Sequence, residues 1–163
     1  MSEKANPDSV GQALLAAPAV FVCHFLEEAP GFVEWFNSHV ARGISSGLFW
    51  RVNLTALVVT LILVALYWFT RSRIILVVSV AWLSFLMFAN ALFHLTGSVV
   101  DRGYVPGLMT AVLLYLPYCA ILATYIVRNG LLGKVALTVV VLLGSTPMLI
   151  HGYLILFLGS RLF

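Results

Sequence analysis

The side chains of this 163-residue chain that could do chemistry fall into two short motifs and one isolated position. The first motif is His24-Phe25-Leu26-Glu27-Glu28. Residues three and four apart share a helical face, so His24 can point the same way as either glutamate. One imidazole with one or two carboxylates is half of a ligand set for zinc or iron. A second carboxylate left outside the set can act as general base on a bound water. The residue types leave open which glutamate does which; we assign Glu28 to the ligands and Glu27 to the base. The second motif is Asn90-Ala91-Leu92-Phe93-His94, in which Asn90 sits one turn from His94 on the same face and can support it as a ligand. The isolated position is His151, one helical turn after Pro147.

Such residues matter because of where they sit. The chain is 62% apolar and 9% charged, with a mean hydropathy of +1.06, against about 45–50% apolar and about 25% charged in soluble domains. A water-soluble globule cannot hide that much apolar surface, which excludes a soluble enzyme, a nucleic-acid binder and a disordered scaffold. The reading is all-α: a polytopic membrane helix bundle, one integral membrane domain over residues 1–163, with the bilayer as its partner. The net charge of +3 reflects loop topology rather than nucleic acid.

A spanning helix needs about 20 mostly apolar residues. Val52–Thr70, Ile74–Leu95, Gly107–Val127 and Val135–Leu158 qualify plainly, and Gly11–Leu26 is a shorter fifth. Backbone groups in lipid must bond internally, so each span is a helix. Between the first two spans, Pro30-Gly31 breaks the helix. Phe32, Val33, Trp35, Phe36 and Val40 then recur at helical spacing opposite Glu34, Asn37, Ser38 and Arg42, which suits a short interfacial helix. The start of the chain, with Glu3 and Asp8 beside Lys4, is a poor secretory signal, so the N-terminus is expected to be retained. Cys23 and Cys119 lie in apolar runs, which argues against a disulfide or a thiolate metal site.

Five crossings put Lys4, Arg71, Arg73, Arg128 and Lys134 on one side and Arg42, Arg51, Arg102 and Arg161 on the other. The two tight loops of the first side hold four of its five cations, which favours that side as cytoplasmic. Following the crossings, His24 ends the first span, His94 lies near the end of the third, and His151 stands about 10 Å short of the end of the last, at about 1.5 Å per residue. All three histidines and both glutamates therefore share one leaflet. Ionisable groups are costly there and face a site or a water-filled cavity.

On the same side runs Asp101-Arg102-Gly103-Tyr104-Val105-Pro106-Gly107. Pro106 suits the first turn of the following helix, and Tyr104 is either an interfacial anchor or a phenol that lids the site and donates to a ligand or substrate. Asp101 with Arg102 reads as a solvated pair and His39 as a surface residue. Pro147 frees a carbonyl and favours a kink; Tyr115, Tyr118 and Tyr125 read as packing.

His24-x-x-Glu27-Glu28, Asn90-x-x-x-His94 and Tyr104-x-Pro106-Gly107 together resemble the signature of the HXXEE-motif family of bacterial integral membrane proteins. The resemblance implies a multi-pass protein of the bacterial inner membrane and marks His24, Glu27, Glu28, His94, Tyr104, Pro106 and Gly107 as its characteristic positions. His151 rests on depth alone. The residues favour a membrane metalloenzyme, hydrolase-like or an oxidoreductase. His24, Glu28, His94 and His151 would hold zinc or iron, Glu27 and Tyr104 would act on a lipid or other apolar small molecule, and Asn90 would lend support. A small carrier or accessory subunit is the alternative, as is a metal-free acid–base pair of His24 with Glu27 or Glu28.

Overall fold

The structure is a computed structural model and describes residues 8–40 and 42–159; Glu3, Lys4 and Arg161 lie outside them. Six helices are present and no strand among the described residues: α1 (Asp8–Glu28), α2 (Phe32–Asn37), α3 (Ser46–Thr70), α4 (Arg73–Asp101), α5 (Leu108–Arg128) and α6 (Lys134–Leu158). All but α2 are long and apolar enough to cross a membrane, and α2 is the short helix expected between the first two.

Local chemistry sets the ends. Ser45 accepts from the Leu48 amide and Ser72 from that of Ile75, so each caps the helix that follows. Arg71 closes α3 in a left-handed conformation (φ 50°), with its guanidinium 4.6 Å from the Trp68 ring centroid. The two-residue connection makes α3 and α4 antiparallel neighbours. Two of the spans contain a π-helical stretch, Ser84–Ala89 in α4 and Ala111–Tyr115 in α5.

Along α1 a buried seam runs through Val10, Leu14, Ala17 and Phe21, then His24 and Glu28, at alternating steps of four and three, with Phe25 buried beside it. This is the seam of a helix buried on one side, and it continues straight from aliphatic core into the polar site. The seam packs on α3 and α5; the Tyr118 hydroxyl donates to the Ala13 carbonyl (3.1 Å) and the Asn129 amide to Ser9 (3.0 Å). On the other side of the bundle α6 packs on α4, where Gly144 meets the Ala81 backbone and a Cβ at Gly152 would lie 2.8 Å from Phe93. Helix α6 runs on through Pro147 to Leu158. Cys23 and Cys119 are unpaired.

Four expectations are corrected. Helix α4 continues past Leu95 to Asp101, because Trp35 packs against Gly97 and holds this extension in contact with α2. Asp101 is no solvated partner of Arg102: its carboxylate accepts from Trp35 Nε1 (2.6 Å) and His39 Nε2 (3.0 Å). His39, half-buried rather than on an open surface, also bonds the Trp35 carbonyl through Nδ1 (2.9 Å), and this, with Ser38, ends α2 before Val40. Pro106 does not begin a helix. The Leu108 amide bonds the Val105 carbonyl (3.0 Å) around Pro106 and Gly107, whose φ of 96° and ψ of −10° are those of the third residue of a type II turn.

Trp35, His39 and Asp101 thus clamp α2 to the end of α4. Burial alone would lower the His39 pKa. The hydrogen bonds to Trp35 and Asp101 and the Asp101 charge outweigh it and raise the pKa above its ordinary value. The folded state therefore holds the proton more tightly than the unfolded chain. The clamp's contribution is complete below the ordinary histidine pKa of about 6.5 and is lost as pH rises through the higher folded value. We expect hydrogen-exchange protection over residues 32–37, corrected for intrinsic rates, to fall on going from mildly acidic to alkaline pH. In His39→Gln it should be lower and flat; an identical pH response in that variant would exclude His39 as its source.

Candidate metal centre

His24 and Glu28 leave the seam of α1 one turn apart, and His94 meets them from α4. A Glu28 carboxylate oxygen lies 3.5 Å from His24 Nε2 and 3.1 Å from His94 Nε2, and one ligand atom from each residue falls within 4.8 Å of the others. Donors bound to one ion at about 2.0–2.1 Å in a tetrahedron stand about 3.4 Å apart, so the three need little movement to close on a cation. All are buried, the histidines at 0% exposure and Glu28 at 4%. Neither Nε2 makes a hydrogen bond of acceptable geometry, despite the short approaches to Glu28. The ring nitrogens are therefore aimed beside the carboxylate oxygen rather than at it, as ligands of a common ion are.

The surroundings fix this arrangement. The Thr110 hydroxyl donates to the Gly107 carbonyl (3.3 Å), so its oxygen is open to the Nδ1–H of His24 at 2.8 Å. That bond selects the tautomer whose Nε2 lone pair faces Glu28 and His94, the support expected behind a metal-ligating imidazole. Tyr115 stacks on the His24 ring with centroids 4.1 Å apart, and its buried hydroxyl has no hydrogen-bond partner among the described residues. In an α-helix Thr110 and Tyr115, five residues apart, would point roughly 140° away from each other. The π-helical turn between them brings both onto His24. Gly107 roofs the trio: a Cβ there would lie 2.7 Å from His94, 2.9 Å from Glu28 and 3.0 Å from His24. Its positive φ also disfavours any side chain. Phe32 of α2 covers the His94 ring at 5.9 Å.

Glu28 opens on a cavity of about 780 Å³ whose wall also includes Asn90 and His151. Asn90, one turn from His94, has a buried side-chain oxygen without a partner among the described residues. His151, half-buried on α6, lines the cavity but stands outside the trio. The second π-helical stretch, Ser84–Ala89, immediately precedes Asn90, and its loosened Ser84 carbonyl accepts from Ser145 of α6 (3.4 Å).

Glu27 faces away from the trio, toward the start of α5. Its carboxylate accepts from the Tyr104 hydroxyl (2.6 Å) and from the Met109 and Thr110 amides (3.0 and 2.7 Å). These amides are two of the four that a helix start leaves unpaired, and a carboxylate there is favoured by the helix dipole as well. Burial and the Glu27 carboxylate push the Tyr104 phenol up to about 12, so it stays a donor at every physiological pH. Helical spacing marks neither Thr110 nor the ring of Tyr115 as part of the site; the one sequence signal for Thr110 is its position three residues after the glycine of a Pro-Gly turn.

Glu27→Ala is expected to lower the unfolding free energy of the detergent-solubilised protein by about 1–2 kcal/mol, the scale of a lost helix cap. Tyr104→Phe, which leaves both amide bonds, should cost less. Equal stability of Glu27→Ala and the parent protein in a denaturant titration would contradict the capping role.

No curated protein and no solved structure matches the chain. A family model described as a protein of unknown function with HXXEE motif matches residues 15–122, two thirds of the chain. That stretch carries His24, Glu27, Glu28, Asn90, His94, Tyr104, Thr110 and Tyr115 but stops short of His151. The chain belongs to the HXXEE-motif family.

Proposed function

We propose that this is a membrane-embedded metalloenzyme that holds one zinc or iron ion on His24, Glu28 and His94 and acts on a lipid or other apolar small molecule. The observation that carries the reading is the buried trio itself. Two imidazole nitrogens crowd one carboxylate oxygen at 3.1 and 3.5 Å without hydrogen-bond geometry, and Thr110 presets the tautomer of one of them. Two histidines with one carboxylate are the donor set of several hydrolytic zinc sites and of non-haem iron oxygenases alike. His24, Glu28 and His94 would hold the ion, which would supply Lewis-acid polarisation and lower the pKa of a water for a substrate in the adjoining cavity. The chain's own residues do the rest. Glu28 and the histidines fix the ion, and Gly107 and Phe32 exclude bulk water. The Asn90 side-chain oxygen on the cavity wall, buried without a partner among the described residues, stands ready to accept from a substrate hydroxyl or a ligand, while Tyr115 backs the His24 ring. Glu27 and Tyr104 act by positioning α5.

Among the described residues this is the one group of three histidine, cysteine or acidic side chains close enough to share an ion. A carrier needs a succession of such groups through the bilayer, so the enclosed single site favours the enzyme.

Protein purified in mild detergent, without chelator or histidine tag, should contain about one equivalent of zinc or iron by elemental analysis, and its identity chooses between hydrolysis and oxidation. His24→Ala, Glu28→Ala and His94→Ala should lose it. Thr110→Val should keep the ligands and weaken metal affinity by about 10–100-fold. Absence of metal in the parent protein after reconstitution with zinc and with ferrous iron, or full occupancy in the alanine variants, would overturn the reading.

A further inference from the structure

The cavity beside the trio is built at the depth of one leaflet. It runs from Ile44 and Leu48 at the start of α3 down to Trp82, Phe85 and Pro147, and Trp82 marks its floor near the middle of α3 through a hydrogen bond to Thr60 (2.9 Å). Its volume of about 780 Å³ falls within the ligand-pocket range of roughly 300–1,000 Å³. Helix α3 packs on α1 and α4, and α6 packs on α4, but α3 and α6 share no extensive interface. The wall residues that are also exposed on the outside, Arg51, Val52 and Thr55 of α3 and Pro147 of α6, flank that gap. The cavity therefore opens sideways, toward acyl chains.

One charged side chain besides Glu28 lines it. Arg51 lies five residues into α3, roughly 7–8 Å along the helix at 1.5 Å per residue. It is exposed on the cavity wall, and no carboxylate pairs with it among the described residues. Near a helix end a guanidinium snorkels to the headgroup boundary, and with no carboxylate beside it there among the described residues, it can take the anionic group of a bound molecule. Its planar fork matches carboxylate and phosphate oxygens two at a time.

We propose that the cavity binds an anionic amphiphile drawn from the bilayer, with its carboxylate or phosphate headgroup on Arg51 and its acyl chain between α3 and α6 over Phe85 and Trp82. This deepens the reading of the trio as a metal site and rests on it for the reaction, but not for binding: Glu28 and Asn90 face the head-proximal part of such a molecule.

Tryptophan quenching tests it, because Trp82 sits where the chain would lie. The probes are a brominated stearate and its methyl ester, added to protein in neutral detergent at a pH where the stearate is ionised. A brominated monoacyl phosphate serves as a third probe and separates a phosphate headgroup from a carboxylate. At least one anionic probe should quench at concentrations about tenfold or more below the ester, a difference set by charged hydrogen bonds. Arg51→Gln should abolish that advantage, Arg51→Lys should retain part of it, and Trp82→Phe should remove the saturable quenching. Equal affinity for acid and ester, an undiminished preference in Arg51→Gln, or saturable quenching that survives Trp82→Phe overturns the proposal. Metal content measured on the same samples keeps the two readings apart. Selective quenching without metal overturns the metal site alone, and metal without selective quenching overturns this assignment alone.

Discussion

A carboxylate enclosed in a membrane protein must be neutralised by something built around it, since an unpaired charge in so apolar a setting costs many kcal/mol. Glu28 is such a group, and much of the rest of the molecule is arranged to meet it. Its own helix supplies His24 one turn away, α4 supplies His94, and the turn before α5 lays the Gly107 backbone over all three. Remove the carboxylate and the convergence of three spans at one depth loses its reason; remove either imidazole and only one of the two rings that face the carboxylate remains.

The π-helical stretches solve a matter of register. Regular helices pack by repeating contacts every three or four residues, which serves a lipid-embedded bundle well but leaves few choices about which side chains meet. An extra residue in one turn rotates everything beyond it. In α5 this brings Thr110 and Tyr115 together on His24. In α4 it ends immediately before Asn90 and exposes a carbonyl that Ser145 of α6 takes up. Both departures fall at the trio or one turn from it, as such departures often do at functional sites.

Five helices long and apolar enough to span, the short helix between the first two, and the convergence of His24, Glu28 and His94 were legible in the sequence, because hydropathy and the alternation of crossings depend on length and composition alone. The roles of the adjacent glutamates were also within reach. Val10, Leu14, Ala17, Phe21, His24 and Glu28 repeat at steps of four and three, so Glu28 lies on the buried seam and Glu27 off it. What periodicity hides is any contact made through a break in periodicity. Tyr115 faces His24 only because the turn before it is π-helical, and Pro106 mimics a helix start while in fact serving a type II turn. The bond from Asp101 to Trp35 and His39 spans more than sixty residues and has no local signature at all.

The seam of α1 also bears on how the protein is made. Glu28 and its first partner, His24, emerge together on α1, so that helix can enter the bilayer with its carboxylate already beside an imidazole. His94 follows 66 residues later, after α3 and most of α4 have been threaded, and the Gly107 roof later still. The order of synthesis is thus an order of enclosure. The i, i+4 pair on α1 gives Glu28 its first neighbour at once, and the second arrives only with later passes of the chain.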